Sequence, residues 1–267
     1  MYSWRVAWAF VRRDFCSTGL LVYFSRWSNM LLNLVFWYFL SAWMKGSALA
    51  AHSALGGDYF TYSLIGFSLT QYVWQGFSTF VARLRTEQAS GGLETLWTVP
   101  CPLSRLILLS SIWDFLFATV SAGLVLGMGR YCFGARLNWE QMACVIGIGM
   151  LTSVAMACLG LSLFSWTVFW GRVEVVRPLI TQAMPVLSGV FFPVEILPHW
   201  LQGVVNLFPL RHAIVLARAV IFPTPSSVTG PAWVGLVAVT LFFLTVSRLA
   251  VRAALHQGRL EGGIFST

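Results

Sequence analysis

The hydrophobic pattern of this sequence consists of long apolar runs separated by short polar segments. A helix that spans the hydrocarbon core of a bilayer needs about 20 mostly apolar residues, and six runs along the chain qualify. We therefore predict an all-α membrane protein with six transmembrane helices, folded as a single domain over residues 1–267. The six predicted spans are 27–44, 59–80, 106–129, 139–169, 175–192 and 231–251.

Residues 1–25 form a basic, aromatic segment ahead of the first span. Its apolar side chains recur at helical spacing on a narrow stripe, and its arginines fall off that stripe. Such a helix lies in the plane of the membrane interface. We therefore predict an interfacial amphipathic helix here; the alternative is a basic extension of the first span. The stripe contains Trp4, Trp8, Val11 and Phe15, and the arginines off it are Arg5, Arg12 and Arg13.

Two segments between the spans have their own pattern. In the loop at 81–105, two glycines precede a short helical pattern whose apolar face contains Leu93 and Leu96, and Pro100 ends it. This pattern fits a docking helix or an ordinary solvated loop. In the region at 193–230, Pro198 can start a short helix. Because backbone that leaves regular helix at membrane depth must be shielded by protein or face a cavity, we predict a re-entrant helical hairpin that acts as a gate; the alternative is a surface loop.

Composition and charge support a membrane protein. Hydrophobic residues make up 58% of the chain and charged residues only 10%, whereas a soluble domain has about 25% charged residues. The net charge is +8, and most basic residues lie on the side of the predicted spans that holds both termini. The positive-inside rule therefore places both termini in the cytoplasm. The size and style of the chain fit a bacterial inner membrane. This orientation explains the basic residues without a nucleic-acid partner.

The sequence lacks the residues for ATP hydrolysis. The stretch Ser90-Gly91-Gly92 looks like part of the signature motif of ATP-binding cassette ATPases. Binding the phosphates of ATP, however, needs the pattern GxxxxGK[ST], and no glycine stands at the required position before the single lysine, Lys45. We therefore expect no catalytic residues in this chain.

Other candidate chemistry is sparse. The cysteines and histidines do not cluster, so we expect no metal site. Asp114 is an acidic residue inside a predicted span, and without a second carboxylate we expect a structural hydrogen bond rather than a proton relay. Aromatic residues near the ends of spans, such as Tyr59, are expected in the interfacial belt. Mid-span Phe36, Trp37 and Phe67 can line a path and stack on sugar or drug rings; the alternative is ordinary packing or lipid contact.

Two stretches resemble the ABC-2 type transporter permeases. The first, RTEQASGGLETLWTVPCPLSR at 85–105, is similar to their cytoplasmic loop, although Gly91-Gly92 replaces the usual Gly-Thr order. The second, SGVFFPVEILPHWLQGVVNLFPLRHAIVLAR at 188–218, is similar to their outer-face signature. The matching residues of the loop are Glu87, Gly92, Leu93, Glu94, Leu96 and Pro100, and those of the signature are Gly189, Phe192, Pro193, Leu197, Pro198, Leu201, Pro209, Leu210 and Arg218.

The resemblance implies a role in export. Such permeases form the membrane half of an ATP-driven exporter, in which two permeases pair among membrane lipids and separate ATPase subunits bind ATP and Mg²⁺. The loop residues would then form the coupling helix and the signature residues the outer gate. The cargo would be drug-like, lipid-linked or a glycan. The alternatives, a proton-driven secondary transporter and a membrane enzyme acting on lipids, would need acidic or histidine clusters that the sequence lacks.

Overall fold

The described residues fold entirely into helices and connecting turns, as predicted from the sequence. This computed structural model describes residues 20–44, 59–89, 103–170, 176–192, 194, 197–222 and 226–260. In these ranges there are eight helices and no strand. The helices are α1 (Leu20–Met44), α2 (Tyr59–Ala89), α3 (Leu103–Tyr131), α4 (Trp139–Trp170), α5 (Val176–Leu187), α6 (His199–Val205), α7 (Pro209–Ile221) and α8 (Ser226–Leu260).

Five of the six predicted spans each fall within a single helix, namely α1, α2, α3, α4 and α8. By length and composition, two stretches of the described residues are long and apolar enough to cross a bilayer, Trp139–Leu163 in α4 and Thr229–Ala250 in α8. A third is added if α6 and α7, which meet at 89°, are counted as one bent span. Six spans therefore stay a prediction.

The prediction of a fifth helix extending to residue 192 is wrong, because α5 ends at Leu187. The chain leaves the helix through Gly189, whose φ of +85° lies in the left-handed region. The N–H of Val190 donates to the carbonyl of Pro185 at 3.2 Å, and the N–H of Gly189 donates to that of Val186 at 3.4 Å. This pair of bonds is the Schellman motif, in which a left-handed glycine terminates a helix.

The central helix is α2. Every residue at 59–70 is buried, and α2 packs most extensively against α4 and α3. Three hydroxyls in this stretch donate to carbonyls three residues earlier in their own helix: Ser63 to Phe60 at 3.1 Å, Ser68 to Ile65 at 2.8 Å and Thr70 to Phe67 at 2.7 Å. Polar side chains are thereby satisfied without water, which a bilayer core requires.

Glycines allow the neighbouring helices to approach α2 closely. A Cβ on Gly76 would lie 2.7 Å from the carbonyl oxygen of Ser153 on α4, and one on Gly149 of α4 would collide with the ring of Tyr72. Small residues at such contacts are typical of helix packing in membranes. The α2–α4 interface thus depends on the absence of side chains.

A polar contact joins α2 to α3. The side-chain amide of Gln75 donates to a carboxylate oxygen of Asp114 at 2.9 Å. The structural hydrogen bond predicted for Asp114 is therefore present, and it links two helices in the lower-dielectric interior, where such bonds are stronger than in water.

The packing of α1 is looser than that of α2. It contacts mainly α2 and α3, and Tyr38 anchors it through aromatic contacts with Phe60 on α2 and with Phe133 after α3, at centroid distances of 5.5 and 4.7 Å. Much of its outer surface is apolar and exposed: Phe24, Leu32, Phe36, Phe39 and Trp43.

We expect Gly149→Val to lower the thermal stability of the protein in detergent, and Gly147→Val to leave it nearly unchanged. Both glycines lie on α4, but the extra methyl groups at 149 meet the buried ring of Tyr72, whereas nothing lies within 4 Å of a Cβ on the exposed Gly147. Overpacking of this kind costs about 1–3 kcal/mol. Equal unfolding temperatures of the two variants, measured by heating and size-exclusion chromatography, would contradict the close contact.

Candidate functional site

The end of α5 presents three consecutive carbonyl groups to side chains of other helices. Residues 188–192, here called the α5 end segment, have left the helix, so their carbonyls lack the usual intrahelical donors. Those of Gly189 and Val190 accept hydrogen bonds from Arg218 on α7, and that of Phe191 accepts one from Tyr59 on α2. In hydrocarbon each unsatisfied carbonyl would cost several kcal/mol, so these donors stabilise a backbone that is not helical.

Arg218 lies at the centre of this arrangement. One of its terminal nitrogens donates to the carbonyl oxygens of Gly189 at 2.9 Å and of Val190 at 3.0 Å. The centre of the guanidinium lies 3.3 Å from the centroid of the Tyr62 ring, in a cation–π contact. The positive charge also faces the C-terminal end of α5, where the helix dipole is negative. Three favourable interactions thus hold this charge in a half-buried position.

Phe191 is held by contacts with α2 and α1. The hydroxyl of Tyr59 donates to its carbonyl oxygen at 2.8 Å. Its ring stacks on the indole of Trp37 on α1, with centroids 3.9 Å apart and planes within 8° of parallel. The α5 end segment therefore contacts α1, α2 and α7.

Sequence reasoning missed the role of the two tyrosines. It assigned Tyr59 to the interfacial belt, whereas the structure buries Tyr59 and Tyr62 to about 6% and 5% exposure and gives each a partner from the signature region. Residues three apart on a helix lie on the same face. The spacing Tyr-x-x-Tyr was thus a signal for a shared contact, although it does not identify the partner.

The region after the α5 end segment contains a sharp bend. Helix α6 begins after its N-cap residue Pro198, as predicted, and α7 begins with Pro209 at its first position. The two helices meet at 89°. A ring nitrogen of His212 on α7 lies 2.9 Å from the carbonyl oxygen of Asn206 at the bend. Whether this bend enters the membrane as a re-entrant hairpin stays a prediction.

The structure brings together some of the predicted gate residues. Gly189 and Arg218 are in direct contact, and the half-buried Phe192 ends the same segment. Pro198 and Pro209 lie at the starts of α6 and α7 and do not contribute to the carbonyl contacts described above. Pro193 lies outside the described residues.

The predicted coupling residues lie almost wholly outside the described part of the chain. The backbone of Glu87 belongs to the last turn of α2. The others, Gly92, Leu93, Glu94, Leu96 and Pro100, are not among the described residues.

The three predicted path residues occupy different environments. Trp37 stacks on Phe191, and Phe36 is 58% exposed on the outer surface of α1. Phe67 is buried within the core. That they line a path stays a prediction.

A cavity of about 870 Å³ lies between α4, α5 and α8, and Phe208 at the α6–α7 bend lines it as well. Its lining is apolar apart from Ser162 and Ser165, whose hydroxyls donate to carbonyls of their own helix at 2.7 and 2.9 Å. Cavities of this size and character hold small apolar ligands. In the described residues, no three of the His, Cys, Asp and Glu side chains come together.

Comparison with known proteins identifies the family. A family profile described as ABC-2 type transporter matches residues 6–222, which include the α5 end segment, α6 and α7. The chain belongs to the ABC-2 type transporter family. It is therefore a membrane protein, and the resemblance stated from the sequence is confirmed.

One curated relative is Nodulation protein J from Neorhizobium galegae. It is 28% identical to this ABC-2 family member over 178 residues, which is 66% of the chain. The chain spans 66% of the relative's own length, just under two thirds.

We expect Gly189→Ala to destabilise the protein more than Gly134→Ala does. Both glycines have positive φ, +85° and +70°, so alanine at either position costs about 1–2 kcal/mol of backbone strain. Only at 189 would the new Cβ also crowd other atoms, 2.6 Å from the side chain of Val194 and 3.2 Å from the carbonyl oxygen of Phe192. Thermal unfolding in detergent checks this order, and a smaller loss at 189 than at 134 would contradict it.

Proposed function

We propose that this ABC-2 family member is the transmembrane permease subunit of an ATP-driven exporter, and that a separate ATPase subunit hydrolyses ATP with Mg²⁺. The family match over residues 6–222 is the observation that carries the proposal. The missing phosphate-binding sequence supports a separate ATPase. The chain would then lie in a bacterial inner membrane, and the distribution of basic residues supports a cytoplasmic position for both termini.

The experiment is transport into inverted membrane vesicles with and without the ATPase subunit. We expect ATP-dependent cargo uptake only when both proteins are present, and no ATP hydrolysis by the purified chain alone. ATP-driven transport by this chain without any ATPase would overturn the proposal.

The cargo we propose has a large apolar part. Among the drug-like, lipid-linked and glycan cargoes that the family resemblance implies, the apolar cavity beside α4, α5 and α8 favours the first two. Within the described residues, the polar side chains of its lining are Ser162 and Ser165, and both already bond to their own helix. A bare glycan would lose hydrogen bonds to water there without replacing them.

The α5 end segment together with α6 and α7 is our proposed outer gate. Backbone that has left the helix and is held by side chains of other helices can move without unfolding a span, as gates require. The contacts of Gly189, Phe191 and Arg218 support this assignment, because they hold the segment through side chains of α2 and α7.

We propose that residues 92–100 dock in a groove on the ATPase. Burial of a leucine side chain contributes about 1.5–3 kcal/mol, so Leu93→Ala together with Leu96→Ala should weaken ATPase association by at least about tenfold. The double variant Thr95→Ala with Thr98→Ala, on the opposite side of the same helical pattern, should bind normally. The measurement is co-purification of the ATPase with each variant.

Glu94→Ala should impair cargo-stimulated hydrolysis more than it impairs assembly, since Glu94 falls in the first turn of the predicted helix, where a carboxylate is favoured. If the double leucine variant binds and couples like the unmodified chain, the segment is only a connector.

We also propose that two copies pair with the first and fifth predicted spans, which correspond to α1 and α5, near their contact. Six spans are few to enclose a path, and α1 exposes an apolar surface. Phe36→Cys should form a disulfide between copies, whereas Leu241→Cys on α8 should not, in a chain whose native cysteines are replaced. The two positions are matched in exposure, at 58% and 57%. Electrophoresis under non-reducing conditions measures the product, and cross-linking only at 241 would place the contact elsewhere.

A further inference from the structure

The hydrogen bonds that hold the α5 end segment differ in strength. Two hydrogen bonds from the charged Arg218 guanidinium connect the segment to α7, and one hydrogen bond from the neutral Tyr59 hydroxyl connects it to α2. Hydrogen bonds with an ionised donor are roughly twice as strong as neutral ones. Most of the polar stabilisation of this segment therefore comes from Arg218.

The ring of Tyr62 positions the guanidinium of Arg218. A planar guanidinium can lie flat on an aromatic ring while its N–H groups point outward in the same plane. The 3.3 Å distance to the Tyr62 centroid and the two carbonyl contacts of 2.9 and 3.0 Å fit this arrangement. A lysine ammonium is tetrahedral and does not combine flat stacking with in-plane donation.

The segment that Arg218 holds packs tightly against α2. Val190 is fully buried, and a Cβ added to Gly66 would lie 2.8 Å from its side chain and 3.0 Å from its carbonyl oxygen. Because Arg218 bonds to that same carbonyl, pulling the guanidinium away removes the donor that keeps Val190 against Gly66.

We infer that Arg218 is the latch of the α5 end segment: seated on Tyr62, it keeps the carbonyls of Gly189 and Val190 closed against α2 in the resting protein. Release of this contact exposes Val190. The role of Arg218 in a gate rests on the proposed function. The contact of Arg218 with the two carbonyls is measured without transport. Arg218 acts here as a positioning residue, through the backbone that it holds.

The test is the rate at which a hydrophilic maleimide labels Val190→Cys in the purified full chain, without ATP or cargo. The other cysteines are replaced, except for the half-buried Cys158 on α4, which reports general unfolding. We expect slow labelling at position 190 when Arg218 is present, and labelling at least about tenfold faster with Arg218→Ala, because two charge-assisted hydrogen bonds are lost. Arg218→Lys should fall between the two.

Variants of Tyr62 test whether its ring holds the Arg218 guanidinium in place. Tyr62→Leu should accelerate labelling by about threefold or more, because the cation–π contact is lost, whereas Tyr62→Phe, which keeps the ring, should stay within about twofold of the unmodified protein. The matched control is Arg211→Ala, an arginine on the same helix, which should leave the rate unchanged.

Unchanged labelling at 190 in Arg218→Ala would overturn the latch, and so would an equal acceleration by Arg211→Ala. If Cys158 is labelled as fast as position 190 in Arg218→Ala, that variant has unfolded, and Arg218→Lys and Tyr62→Leu then provide the test. An unchanged labelling rate at position 190 in both of them would overturn the latch. An acceleration by Tyr62→Phe equal to that of Tyr62→Leu would refute the role of the ring face. Failure of the vesicle transport experiment with slow labelling intact would reject the exporter and leave the contact standing.

Discussion

The structure depends on one constraint, which is that every residue at 59–70 of α2 is buried by the surrounding protein. A helix with no face toward lipid must let several neighbours approach it closely, and each approach removes room for side chains. Gly76 and Gly149 supply that room at the contacts with α4. Hydroxyls such as those of Ser68 and Thr70 donate to carbonyls of their own helix, which satisfies these buried donors within the close packing.

The same requirement explains the α5 end segment. A helix that ends inside the protein leaves carbonyls that water would otherwise satisfy. The Schellman motif at Gly189 satisfies the carbonyls of Pro185 and Val186. Arg218 on α7 and Tyr59 on α2 satisfy the three carbonyls at 189–191. The charged donor and the irregular backbone thus stabilise each other, since a buried charge or a buried unsatisfied carbonyl is costly alone.

Local patterns predicted much of the helical framework and little of its contacts. The long apolar runs predicted α4 and α8 because twenty apolar residues have few alternatives to a buried helix, and Pro198 marked the start of α6. The end of α5 was missed because its apolar pattern continues to Phe192 although Gly189 stops the helix. The contact between Arg218 and Gly189 joins residues 29 positions apart, and the family signature marked both residues without indicating that they touch. The predicted coupling segment at 92–100 lies outside the described residues, so its role rests on sequence alone.

The contact of Gly66 with Val190 limits which substitutions can compensate for one another. A steric conflict between two side chains is often relieved by shrinking the second residue. Here, however, two of the three atoms nearest to a Cβ on Gly66 are the carbonyl oxygen and Cα of Val190, at 3.0 and 3.1 Å, and both belong to the backbone. Shortening Val190 removes only the side-chain part of the conflict. Second-site suppressors of a larger residue at 66 should therefore arise where they shift the backbone of the α5 end segment, and not at position 190 itself.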